Sequence, residues 1–220
     1  KFGIFEGGCR RTGSRLTKEL VATLHGYAAA NFYNDYHNVE KVEFFGGATV
    51  LRVDESFGAF TLGSFIIGDR DIEADPDNEL FQHEYGHYLQ SQKFGNLYLP
   101  VFGIPSLLDE NMRNGSNRHD FHPVEQDANV RAFLYFNKSV PGFTAATASG
   151  LGTGWNFDVN PLDPNGTGTR NIFWNYLNSN DLEDINKLKM EPSWYDYFWP
   201  LGGIMGGIST GRLNAWIHNN

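Results

Sequence analysis

The stretch His83-Glu84-Tyr85-Gly86-His87 constrains this chain more than any other. On a helix, residues i and i+4 share a face, so the imidazoles of His83 and His87 can bind one zinc ion. Glu84 then lies beside the water that such an ion would activate. The pattern implies metal-dependent hydrolysis. With 7 His and 12 Glu in 220 residues, shuffled sequence yields roughly 0.01 accidental matches.

The flanking residues predict that the motif is helical. Asp75-Pro76 offers an N-cap followed by proline at the first helical position, and Asp77 and Glu79 add negative charge to the first turn. The helix is expected to run to about Lys93, with Gly95 as its left-handed stop. At 100° per residue, Leu80, His83, Glu84, His87 and Ser91 form one face, while Phe81, Tyr85, Tyr88 and Leu89 form another. One face is expected to pack and the other to work. Gly86 costs about 1 kcal/mol relative to Ala in a helix interior, which a close neighbour would justify.

The composition, 40% hydrophobic and 15% aromatic, allows a substantial core in a single domain over 1–220. Its sheet and motif helix are expected in 1–95, with a loop-rich, mainly helical part in 96–220. A net charge of −9 without a basic run argues against a nucleic-acid partner. Cys9, the single cysteine, excludes an intrachain disulfide and a cysteine-rich zinc site. No stretch approaches the roughly 20 apolar residues of a membrane span, and the polar start does not read as a signal peptide. The first residue, Lys1, suggests a piece cut from a longer precursor.

Helical spacing of Leu16, Leu20, Leu24, Tyr27 and Ala28 predicts a backing helix over 15–36, preceded by Thr12-Gly13-Ser14. Segments 42–53 and 60–67, rich in β-branched and aromatic residues, are expected as strands of one sheet. Its edge beside the metal would offer backbone groups to an extended peptide. Residues 94–122 read as a long connection with a short helix at 106–112, and a further helix follows at 123–138. Residues 141–170 read as loop and 171–188 as partly helical. Core packing is favoured over a binding wall for Trp194, Tyr195, Tyr197, Phe198 and Trp199. Together these elements give an α+β fold with a small, mostly antiparallel sheet packed on the backing helix and the motif helix.

Catalytic zinc commonly has three protein ligands and a water. A third histidine or aspartate nine residues after the first glutamate would require a different residue from Lys93, and Gln90 stands where that pattern needs glycine. A carboxylate on a second helix is the remaining source of a third ligand. Glu125 leads, because it lies in the first turn of the helix opened by Pro123 and shares a face with the small residues Ala128 and Ala132. Asp109, Glu110, His119, Asp120 and Asp127 remain rivals. Asn129 and Asp127 are candidates for orienting a ligand histidine. His25, His37 and His218 are expected to be structural or solvent-facing.

The run HEYGHYLQSQ from His83 to Gln92, with Lys93-Phe94-Gly95, Leu97-Tyr98-Leu99 and Gly103-Ile104-Pro105-Ser106-Leu107, resembles the zincin-type C-terminal domains of bacterial Rhs/YD-repeat proteins, chiefly of Bacteroidetes. Glu125-Gln126-Asp127-Ala128-Asn129 is similar to a second block of those domains, in which the glutamate is expected to bind metal. The resemblance extends from about Gly58 to Ala132. It implies a gluzincin-like fold and a metalloprotease at the tip of a larger polymorphic-toxin protein. Such a domain would be delivered to a competitor cell, for example by type VI secretion, and neutralised by a cognate immunity protein.

The expected reaction is zinc-assisted hydrolysis of a peptide bond, with Glu84 as general base and His83, His87 and Glu125 as ligands. The sequence does not identify an oxyanion donor among Tyr195, Tyr197, His119 and His122. A different class of function, a zincin-shaped module that binds or structures without cleaving, fits the same motif. A nuclease or deaminase toxin fits the delivery system but lacks a basic surface and cysteine ligands.

Overall fold

The computed structural model describes residues 9–104, 106, 107, 123–141 and 189. The chain forms two compact units, Lys1–Leu99 and Pro100–Asn220. The fold is α+β with a small mixed sheet of four strands. The first unit contains helices α1 (Cys9–Thr17) and α2 (Leu20–Tyr36), strands β1 (Val39–Phe45), β2 (Ala48–Val53), β3 (Ala59–Leu62) and β4 (Phe65–Gly68), and helix α3 (Glu79–Phe94).

Each of the two expected strands is a hairpin. Gly46 and Gly47 both take positive φ, 52° and 102°, and link β1 to β2 in a two-residue turn. This is the backbone that glycine pairs permit and that matches strand twist. Gly63 (φ 60°) and Ser64 link β3 to β4 in the same way. The sheet order is β1-β2-β4-β3. Two antiparallel pairs flank a central parallel one, β2 with β4. The connection between β2 and β4 carries β3 to the outside, which makes β3 an edge strand among the described residues.

Register sorts the side chains, because directly paired residues share a sheet face. Leu51 pairs with Ile67, and Phe60 with Ile67; these side chains meet α2 in a core with Val53, Phe65 and Ala30, edged by Tyr27 and Tyr33. The opposite face carries Phe45, Ala48, Val50, Ile66 and Thr61. Phe45 packs edge-on against Phe81 and Tyr85 of α3, with ring centroids 5.2 and 5.4 Å apart. The sheet is therefore layered between α2 and α3. The carbonyl of Gly46 accepts hydrogen bonds from the hydroxyls of Tyr85 (3.3 Å) and Tyr88 (3.4 Å), which docks the first hairpin turn on α3.

The leucine stripe is not the buried face of the N-terminal helices. Leu16, Leu20 and Leu24 are exposed, and the residues turned inward are Ala22, Thr23, Gly26 and Ala30. Close approach explains the reversal. A Cβ on Gly26 would lie 2.2 Å from the Leu62 carbonyl oxygen, and one on Gly63 would lie 2.5 Å from the Thr23 nitrogen. Only small side chains fit between α2 and the β3–β4 turn. The predicted single helix is also two, and Thr12-Gly13-Ser14 lies inside α1 instead of preceding it.

After α3, the chain forms a 3-10 turn at Gly95–Leu97 and a π-helical turn at Leu99–Gly103. The expected long connection is thus helical where it starts. The second unit contains α4 (Pro123–Ser139), which begins at Pro123 as predicted and ends one residue beyond the expected 138. On α4, Val124, Ala128, Val130, Ala132, Phe133 and Phe136 are buried. The expected helix at 106–112 lies largely outside the described residues. The elements expected within 142–188 and the aromatic run from Trp194 to Trp199 lie wholly outside them.

Candidate metal centre

Helix α3 starts later than the proline predicted. Asn78 is its N-cap, with Oδ1 accepting from the Phe81 N–H at 2.8 Å, a pairing that satisfies one of the helix's open donors. Asp75-Pro76-Asp77 forms the turn before it. The Asp75 carboxylate accepts from the Asp77 N–H at 2.9 Å, and the Asp75 carbonyl from the Asn78 N–H at 3.0 Å. The Pro76 carbonyl accepts from the Gln82 amide. Gly95 ends the helix with φ 61° and ψ −126°, so it is glycine-permitted but outside the left-handed helical well. A Cβ there would lie 2.6 Å from the Lys18 carbonyl oxygen.

The packing face behaves as expected: Phe81, Tyr85 and Tyr88 are fully buried. The working face is enclosed as well. Glu84, His87, Gln90 and Ser91 are buried, and His83 is half-buried. The rings of His83 and His87 stand perpendicular, with centroids 4.8 Å apart. His87 Nδ1 lies 2.8 Å from Gln90 Oε1. An amide oxygen only accepts, so this bond requires the proton on Nδ1 and leaves the Nε2 lone pair for a ligand.

Glu84 is held from the sheet. Its Oε2 accepts from the Thr61 hydroxyl at 2.6 Å. Glu125, in the first turn of α4, is 1% exposed. His83, His87 and Glu125 each offer one ligand atom, and these atoms all lie within 4.8 Å of one another. This group could hold a metal ion. Two imidazole nitrogens and a carboxylate oxygen are a donor set suited to one.

Asp127 and Asn129 lie on the same helix. The buried Asp127 carboxylate accepts from Arg131 Nε at 2.7 Å, and Asn129 is half-buried one turn after Glu125. The rivals Asp109, Glu110, His119 and Asp120 lie outside the described residues, as do His122, Tyr195, Tyr197 and His218. His25 Nδ1 is 2.8 Å from the Val21 carbonyl, and His37 Nδ1 pairs with Glu55 at 2.7 Å. Both are surface contacts of the first unit.

Two residues bearing on the site escaped the sequence reading. Gln90 was detectable, since i+3 neighbours meet on a helix. Thr61 carried no motif, because its contact with Glu84 depends on sheet register. The free edge of β3 is also less open at that point than expected: the Tyr98 hydroxyl donates to the Thr61 carbonyl at 3.2 Å. Among the described residues, no helix is long and apolar enough to cross a membrane. Compared with family models, curated proteins and solved structures, the chain matches none.

Proposed function

We propose that this chain is a zinc-dependent metallopeptidase domain of the gluzincin type. The observation that carries the reading is the gathering of His83, His87 and Glu125 ligand atoms within 4.8 Å, with a buried Glu84 beside the two histidines on α3. When bound there, zinc would polarise the scissile carbonyl and lower the pKa of a water molecule to about 7. Glu84 takes a proton from the attacking water and delivers it to the leaving amine as the C–N bond breaks. Gln90 keeps the His87 ring in the tautomer that leaves Nε2 for the ion. The enclosed setting of Glu84 and His87 limits competing water at the reacting groups.

The Rhs-type resemblance over Gly58 to Ala132 supports placing this activity in a delivered bacterial effector, with a target-cell protein as substrate and an immunity protein as partner. The net charge of −9 favours a protein substrate over nucleic acid.

Metal analysis and cleavage of an unfolded protein test the reading together. Wild-type protein is expected to carry about one zinc per chain and to cleave. Glu84→Gln should keep the metal and lose cleavage, whereas His83→Ala should lose both. Wild-type cleavage rates in Glu84→Gln would remove the general-base assignment. Zinc bound with no new termini in target-cell lysate would favour a zincin-shaped binding module.

A further inference from the structure

The hydrogen bond between β3 and α3 gives Thr61 a role that the motif does not contain. Thr61 pairs with Ile66, which directs its side chain to the α3 face of the sheet. There its Oγ1 lies 2.6 Å from Glu84 Oε2 and 3.0 Å from the Glu84 carbonyl oxygen. The first distance falls in the range of charge-assisted O–H···O⁻ bonds, about 2.5–2.7 Å. A hydroxyl has one proton and two lone pairs, so it can donate to a carboxylate and can accept from a carboxylic acid while turning its own proton to the carbonyl. One heavy-atom arrangement thus serves Glu84 on either side of a proton transfer.

The residue that supplies this contact is itself fixed. Thr61 is buried, its strand is paired to β4, and its carbonyl accepts from the Tyr98 hydroxyl, a side chain only 2% exposed. Thr61, Glu84 and Tyr98 all belong to the first compact unit. A long carboxylate side chain has several rotamers of similar energy. Anchoring Oε2 to a strand removes all but one.

We propose that Thr61 is the positioning residue for Glu84, holding its carboxylate where it can exchange a proton with the attacking water. The role in turnover rests on the peptidase reading above, but the positioning does not. Thr61→Val replaces the hydroxyl with a methyl of similar size, and Thr61→Ala removes it without adding a buried methyl. Thr61→Ser restores the hydroxyl.

Two measurements on the whole chain test the role. In peptide cleavage, kcat should fall about 10-fold to 100-fold in Thr61→Val and Thr61→Ala, with KM and zinc content unchanged. Thr61→Ser should return kcat to within about threefold of wild type. Wild-type kcat in Thr61→Val, or a loss that serine does not rescue, would overturn the proposal.

Three-bond couplings across the Glu84 Cα–Cβ bond in isotope-labelled, metal-free protein give the second readout. Wild type and Thr61→Ser should show one rotamer, and the valine and alanine variants an average of several. A single rotamer in a folded variant lacking the hydroxyl overturns the proposal even if no peptide is ever cleaved. Averaged couplings in those variants, with no cleavage by wild type, would support the positioning and reject the peptidase reading.

Discussion

His87 Nδ1 and Gln90 Oε1 lie 2.8 Å apart on consecutive turns of α3, so the candidate ligand and the group that orients it come from one helix. A metal-binding imidazole commonly donates its second N–H to an acceptor that fixes ring and tautomer. Gln90 fills that place and is itself fully buried. Gln90→Leu should weaken zinc binding about 10-fold to 100-fold, while Gln90→Glu, which keeps an acceptor oxygen, should weaken it less. Competition against a chromophoric chelator gives both affinities. Equal affinity in wild type and Gln90→Leu would mean that other contacts orient the ring.

A ligand that binds only the folded chain raises its stability by mass action. Zinc at about 100 times its dissociation constant should add about 2.7 kcal/mol. For a chain of this size that corresponds to roughly 5–10 °C in the unfolding midpoint. Chelation should reverse the gain. Glu125→Ala leaves the two imidazoles, so the zinc-induced shift should shrink without vanishing, and His83→Ala/His87→Ala should abolish it. Differential scanning calorimetry with and without chelator checks the series; a wild-type midpoint indifferent to zinc would refute the metal assignment.

What could be read from sequence was chemistry with a short spacing. The two histidines, Glu84 and the later helix opened by Pro123 were all visible, because ligand spacing and helix starts are local. The hairpin turns are not among what composition reveals: 42–53 and 60–67 each read as one strand, although Gly46-Gly47 and Gly63-Ser64 lie inside them. Periodicity could not say which face of α2 is buried. Leu20 and Leu24 have the spacing of a core face, yet the distance between helix and turn admits Gly26 and Ala22 instead. Thr61 was beyond reach for the same reason, since it stands 23 positions before Glu84 and only the fold brings the two together.

The start of α3 can be tested separately. Asn78 accepts from the Phe81 N–H, and its side-chain amide donates to the Asp71 carbonyl at 2.7 Å. Asn78→Ala removes both bonds and should cost about 1–2 kcal/mol. Asn78→Asp keeps the capping acceptor and should cost less. Asp75→Ala leaves the cap in place, so denaturant unfolding should rank it below Asn78→Ala. The reverse ranking would restore Asp75 as the effective cap.

Glu43 ties β1 to the segment that leads into α3, and this link should depend on pH. Burial pushes its carboxyl upward, but the Lys41 ammonium at 2.9 Å, the Ala74 N–H at 3.3 Å and the charge of Arg52 outweigh it. The net effect is a carboxyl held below its ordinary value of 4.5. A carboxyl depressed in the folded state favours folding in full above the unfolded value, and that contribution is lost as pH falls through the folded value. Because the side chain is partly exposed, solvent screening keeps the contribution below about 1 kcal/mol. Glu43→Gln should therefore be slightly less stable than wild type near pH 7, and the gap should narrow at acid pH as the folded-state carboxyl becomes protonated. Urea unfolding at neutral and acid pH measures it. A gap that persists at the lower pH would assign the contribution to packing instead of charge.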